Sequence, residues 1–74
     1  MKRRRQPKLF DLVAVTRPPE ESDLEVGDVG TVVEHLPPDG MEVEFLDRNG
    51  RTVCVASLRR DEVLALNRER TNVS

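Results

Sequence analysis

Two glutamates, Glu42 and Glu44, lie two positions apart in the stretch Met41–Glu42–Val43–Glu44–Phe45. On an extended strand they share a face, with side chains about 6.5–7 Å apart. That separation is in the range at which paired carboxylates hydrolyse glycosidic bonds. The plainer reading is a solvated strand face, and it is preferred. A chain of 74 residues has no deep cleft in which to desolvate a general acid. His35 as base with Ser57 as nucleophile would be a second constellation. Nothing in the spacing brings these two and an acid together, so an exposed histidine at a strand end is expected. Cys54 would react only as a thiolate, which wants a neighbouring cation. It is read instead as an inert, half-buried cysteine. One cysteine and one histidine cannot supply a four-ligand zinc site. No catalytic residue, cofactor or metal is expected, and the chain is not read as an enzyme.

Charge is distributed unevenly. Lys2, Arg3, Arg4, Arg5 and Lys8 give residues 1–8 a charge of +5 with no acid. Residues 9–58 hold eleven acids against Arg17, Arg48 and Arg51, a charge of −8. Five cations in a disordered arm could neutralise up to about five phosphates, enough for salt-sensitive nonspecific binding. Glu20, Glu21, Asp23 and Glu25, with Glu42 and Glu44, form the densest acidic group. An acidic body repels phosphate and attracts basic protein surfaces.

Neither tryptophan nor tyrosine is present, and the two phenylalanines, Phe10 and Phe45, sit in core-like patterns. Proline-rich peptide readers, single-strand binders and methyl-lysine readers all rely on exposed rings. All three modes lose weight. No apolar run is long enough to span a bilayer, and no apolar stretch follows the basic start as in a secretory signal. A lone cysteine in so small a domain points to the cytoplasm.

These residues must be held by short strands. Of 27 apolar residues, 25 lie between Leu9 and Leu66, so the folding unit is residues 9–66. A disordered basic arm at 1–8 and a frayed tail at 67–74 flank it. Phe10–Thr16 reads as the first strand and Val29–Leu36 as the second, with Val32 and Val33 adjacent and breaking the alternation. Leu24 and Val26 are expected to tuck under the sheet. Met41–Phe45 alternates cleanly. Asn49–Gly50 marks a hairpin with two competing registers. A two-residue loop pairs Phe45 with Cys54. A three-residue loop at 48–50, with Gly50 left-handed, pairs Phe45 with Val53 and Val43 with Val55. The second is chosen because it gathers Met41, Val43, Phe45, Val53 and Val55 on one face. Leu58–Glu62 reads as one helical turn and Val63–Leu66 as a last strand, with a single helix over 58–70 as the alternative. Five short strands joined by turns predict an all-β fold, a small closed barrel that leaves no exposed edge.

Three blocks carry a resemblance: Phe10–Asp11–Leu12–Val13–Ala14–Val15, Val26–Gly27–Asp28–Val29–Gly30–Thr31–Val32–Val33–Glu34, and Glu42–Val43–Glu44–Phe45 with Gly50–Arg51–Thr52. In this order and spacing the chain resembles a small bacterial family catalogued as a domain of unknown function, DUF4926, whose members look like SH3-like barrels. The resemblance implies a five-stranded SH3-like barrel and, through neighbouring toxin-like genes, an antitoxin or immunity role. It carries over no site residue. Members usually have tyrosine where this chain has Met41, and the arginine-rich extension is unusual among them. The Gly27–Val33 block is also similar to turns of KOW-type barrels.

The resulting expectation is a non-catalytic interaction module that meets a basic protein through Glu20, Glu21, Asp23, Glu25, Glu42 and Glu44. The alternative is a KOW-type nucleic-acid-associated barrel acting through Lys2, Arg3, Arg4, Arg5 and Lys8. Charge separates them, because a barrel that grips RNA should have a basic body and this one has a charge of −8 over residues 9–58.

Overall fold

The computed structural model describes residues 6–66. Five strands follow in chain order: β1 (Leu12–Val15), β2 (Val29–Leu36), β3 (Gly40–Leu46), β4 (Thr52–Arg59) and β5 (Val63–Ala65). A 3-10 turn, Arg60–Glu62, joins β4 to β5. All pairings are antiparallel, in one sheet of order β4-β3-β2-β1-β5. The fold is all-β, as expected, and the last segment is a turn and strand rather than a helix. The expected closed barrel is not found: among the described residues β4 and β5 are the two edges of an open sheet. No helix among the described residues is long and apolar enough to cross a membrane.

The core lies on one face of the sheet. It consists of Val13, Val15, Val32, Met41, Val43, Phe45, Leu58 and Val63, with Leu24, Cys54 and Ala56 packed against it. Gly30 is the tightest point. An added Cβ there would meet Val43 Cγ1 at 2.6 Å, the Glu44 carbonyl oxygen at 2.8 Å and Phe45 Cδ1 at 2.9 Å. The missing side chain lets the Phe45 ring settle on β2. Gly30→Ala should therefore destabilise the domain by about 1–3 kcal/mol, because a neighbouring backbone atom cannot yield as a side chain would. Urea unfolding checks this.

The adjacent Val32 and Val33 are explained by an irregularity in β2. Val32 pairs with Val43 and Glu34 with Glu42, so Val33 is the extra residue and Glu34 moves to the outer face. A second irregularity corrects the hairpin. The three-residue loop forms as expected: the Asp47 N–H donates to the Arg51 carbonyl at 2.9 Å, Gly50 has φ 83°, and Leu46 pairs with Thr52. The register then shifts between Phe45 and Leu46, and Phe45 pairs with Cys54 and Val43 with Ala56. Val53 and Val55 are 63% and 50% exposed, opposite to the expectation. The far end of β4 decides this. Extending the expected register would send Ser57 and Arg59 inward, whereas the shift buries Leu58 beside Met41.

Two further expectations are corrected. Phe10 is 71% exposed, with φ 71°, so it turns the chain into β1 and adds nothing to the core. Val26 is 69% exposed, and only Leu24 of that pair tucks in. Before β1 the chain is held against β2. Pro7 is buried, its carbonyl accepts a hydrogen bond from His35 Nε2 at 2.7 Å, and the Phe10 N–H donates to the Val32 carbonyl at 2.7 Å.

The β4 assignment gives opposite expectations for neighbouring positions. Leu58→Ala should cost about 2–4 kcal/mol. Val55→Lys, opposite Glu44 on the outer face, should change stability by less than about 0.5 kcal/mol. Thermal unfolding of the two variants distinguishes the registers.

Candidate functional site

The long connection between β1 and β2 is two turns around one apolar residue. Pro18 and Pro19 lack backbone donors and keep the segment out of the sheet. Ser22 Oγ then donates to the Pro19 carbonyl at 2.9 Å and accepts the Leu24 N–H at 3.3 Å. Beyond Leu24, Asp28 Oδ2 accepts the Glu25 N–H at 2.9 Å, and the Asp28 N–H returns to the Glu25 carbonyl at 3.0 Å. Gly27, at φ 97°, supplies the left-handed step and donates to the Val15 carbonyl at 2.8 Å. The loop thus presses Leu24 toward the core and holds Asp23 and Asp28 on either side.

Between this loop and the core face of the β3–β4 hairpin lies a pocket of about 480 Å³. Leu24, Val29, Phe45 and Leu46 line its apolar part, Val53, Cys54 and Ala56 form the β4 wall, and the loop adds Asp23 and Asp28. Its existence follows from β4. The half-buried inward positions hold small residues, Cys54 and Ala56, while Val55 points out and Val53, at the register shift and 63% exposed, borders the pocket.

The six acids expected to form one surface are divided. Glu20, Glu21, Asp23 and Glu25 are exposed on the loop, and none forms an ion pair among the described residues. Glu42 and Glu44 are half-buried on the other face of β3, since Met41, Val43 and Phe45 take the core side. Glu44 accepts a hydrogen bond from Thr52 Oγ1. Glu42 sits opposite both Glu34 and Ser57. Asp28 at the pocket rim and Glu34 beside Glu42 were not in the expected group. The adjacent valines Val32 and Val33 were the signal for Glu34, because an irregularity there reverses the faces of the residues after it.

The other candidates separate. His35 pairs with Met41 on the core side and Ser57 with Glu42 on the outer side, so β3 lies between them and they share no site. The chosen register would have set Cys54 on the outer face beside Glu44; it lies instead opposite Phe45, in the pocket wall. Of the basic arm, Lys8 is exposed and its N–H donates to Asp11 Oδ2 at 2.9 Å. Lys2, Arg3, Arg4 and Arg5, and the tail at 67–74, lie outside the described residues.

The family model of Domain of unknown function (DUF4926) matches residues 9–65, and the chain belongs to this family. Comparison with curated proteins and with solved structures gives no match.

The pocket is a half-open recess on the core side, and a larger apolar side chain placed in it should cover exposed apolar surface. Ala56→Leu is expected to raise stability by about 0.5–2 kcal/mol. An unchanged or higher melting temperature by circular dichroism agrees with open space, and a large loss contradicts it.

Proposed function

We propose that this DUF4926 domain is a non-catalytic cytoplasmic module that docks a basic protein through the acidic loop between β1 and β2. The observation that carries this reading is the juxtaposition at the pocket. Glu20, Glu21, Asp23 and Glu25 have no cationic partner among the described residues, and their loop forms one side of a largely apolar pocket, with Asp23 in its lining. Unpaired like charges in one short loop repel each other, and a cationic surface relieves that repulsion. An apolar floor beside them adds contact that water does not compete for. Glu34, Glu42 and Glu44 on the far face add to the field without sharing the contact. An antitoxin or immunity role fits this mechanism, since covering the phosphate-binding surface of a cationic enzyme would silence it.

Reversal of Glu20, Glu21, Asp23 and Glu25 to lysine should leave folding intact, as all four are exposed. Association with a protein partner captured by the tagged full chain should slow by about tenfold or more at low salt, and by less at high salt. Stopped-flow mixing reads both rates. An acidic partner, or an unchanged rate, counts against the reading. Capture of nucleic acid that is lost when residues 1–5 are removed would instead favour the arm.

A further inference from the structure

β4 is an eight-residue edge strand, and no strand among the described residues pairs with its outer side. Natural edges are blunted with proline, lysine or inward charge. β4 has neither proline nor lysine, and Cys54, Val55, Ala56, Ser57 and Leu58 carry no charge. The same strand forms one wall of the pocket, with the acidic loop across from it. An open edge, a cavity along its core side and acids facing it are separate features that meet at one place.

We propose that β4 and the pocket together receive a partner segment that adds to the sheet as a sixth strand beside β4. One apolar side chain of that segment enters the pocket between Phe45, Leu24 and Ala56. Its neighbouring lysines or arginines come up to Asp23 and the other loop acids. This deepens the reading of a basic partner and rests on it. Side chains of an added strand alternate between the two faces of the sheet. Those on the core side are therefore carried over the cavity, and those on the other side lie next to Val55. The small side chains of Cys54 and Ala56 are what leave room for the incoming group. Charge complementarity selects a basic segment over an acidic one, because the loop supplies no cation after Arg17.

The test uses the full chain and synthetic peptides as long as β4, with blocked ends. One alternates lysine with leucine and another alternates lysine with serine. Two more are the lysine–leucine peptide with backbone nitrogens methylated on the lysines only or on the leucines only. Affinity is read by calorimetry, and pocket occupancy by the rate at which iodoacetamide alkylates Cys54, the single cysteine. The lysine–leucine peptide should bind about tenfold or more tighter than lysine–serine, the ratio that burial of one leucine supplies. It should also slow alkylation of Cys54. Only one of the methylated peptides should bind, because alternate N–H groups point to opposite edges of a strand. Ala56→Leu should bring the lysine–leucine affinity down to that of lysine–serine while the fold persists by circular dichroism. Equal binding of the two unmethylated peptides, with Cys54 unprotected, would overturn this inference and leave the charge reading standing. Binding of both methylated peptides would overturn strand addition. Failure of every lysine peptide would overturn both the inference and the reading beneath it.

Discussion

The contact between Gly30 and Phe45 sets the geometry of the core face. The two residues are cross-strand partners, and Phe45 Cδ1 would lie 2.9 Å from any Cβ at position 30. A ring can lie that low over β2 only because glycine presents no side chain. From there Phe45 does two things. It closes the core, at 6% exposure, and it forms the apolar side of the pocket. A larger residue at position 30 would press on Val43, the Glu44 carbonyl oxygen and the Phe45 ring, disturbing the core and the Phe45 side of the pocket together. Stability and the candidate site therefore depend on the same missing atom.

β4 shows the opposite economy. Cys54 and Ala56 face the core side, while Val55 lies on the outer face and Val53, mostly exposed, only borders the pocket. A strand selected for burial alone would place its valines inward, since each buried methylene adds about 0.8 kcal/mol. Small domains have little apolar area to spare. Leaving a half-open pocket of about 480 Å³ beside the buried apolar core is thus a local departure from full coverage of apolar surface. Such departures concentrate at functional sites. That concentration is the physical ground for placing the proposed contact on this side of the sheet rather than over the outer glutamates.

The strands were legible wherever pattern and turn chemistry agreed. Val29–Leu36 and the alternation of Met41–Phe45 read directly, and Gly50 correctly named the loop at 48–50. What the residues did not display was the register shift after that loop. Near the turn, Val53 and Val55 outweighed Cys54 and Ala56 as core candidates. The deciding information sat at the other end of the strand, where Leu58 must go in and Arg59 must stay out. A single irregularity reconciles the two ends, and pattern matching in a short window cannot see it. The pocket was hidden for the same reason, because Cys54 and Ala56 in its wall are residues assigned to the outside. The loop acids were legible as a group by simple density. Their separation from Glu42 and Glu44 required knowing which face the loop covers. Phe10 misled through its chemistry, since an aromatic residue beside a strand pattern is ordinarily core, and only its left-handed backbone turns it out.

The acids then differ in what they can do for binding. Glu34 and Glu42 are directly opposed across β2 and β3, an arrangement that costs stability through like-charge repulsion. Under the proposed function, charges on that open face would act mainly at a distance, accelerating encounter without holding the partner. The loop acids would then act at contact, on a backbone that its own hydrogen bonds already hold. Asp28 spends one carboxylate oxygen on the Glu25 N–H, and Ser22 clamps the Pro19 turn on the other side of Leu24. A loop ordered in advance loses little freedom when a partner arrives, so more of the contact energy survives as affinity. Under the proposed function, outer-face charge governs the rate of approach, and the self-bonded loop with its apolar pocket governs the lifetime of the complex. The latter carries most of the affinity differences between related partners. Specificity in this domain would therefore be set by the few residues from Ser22 to Asp28 and by the small side chains of β4.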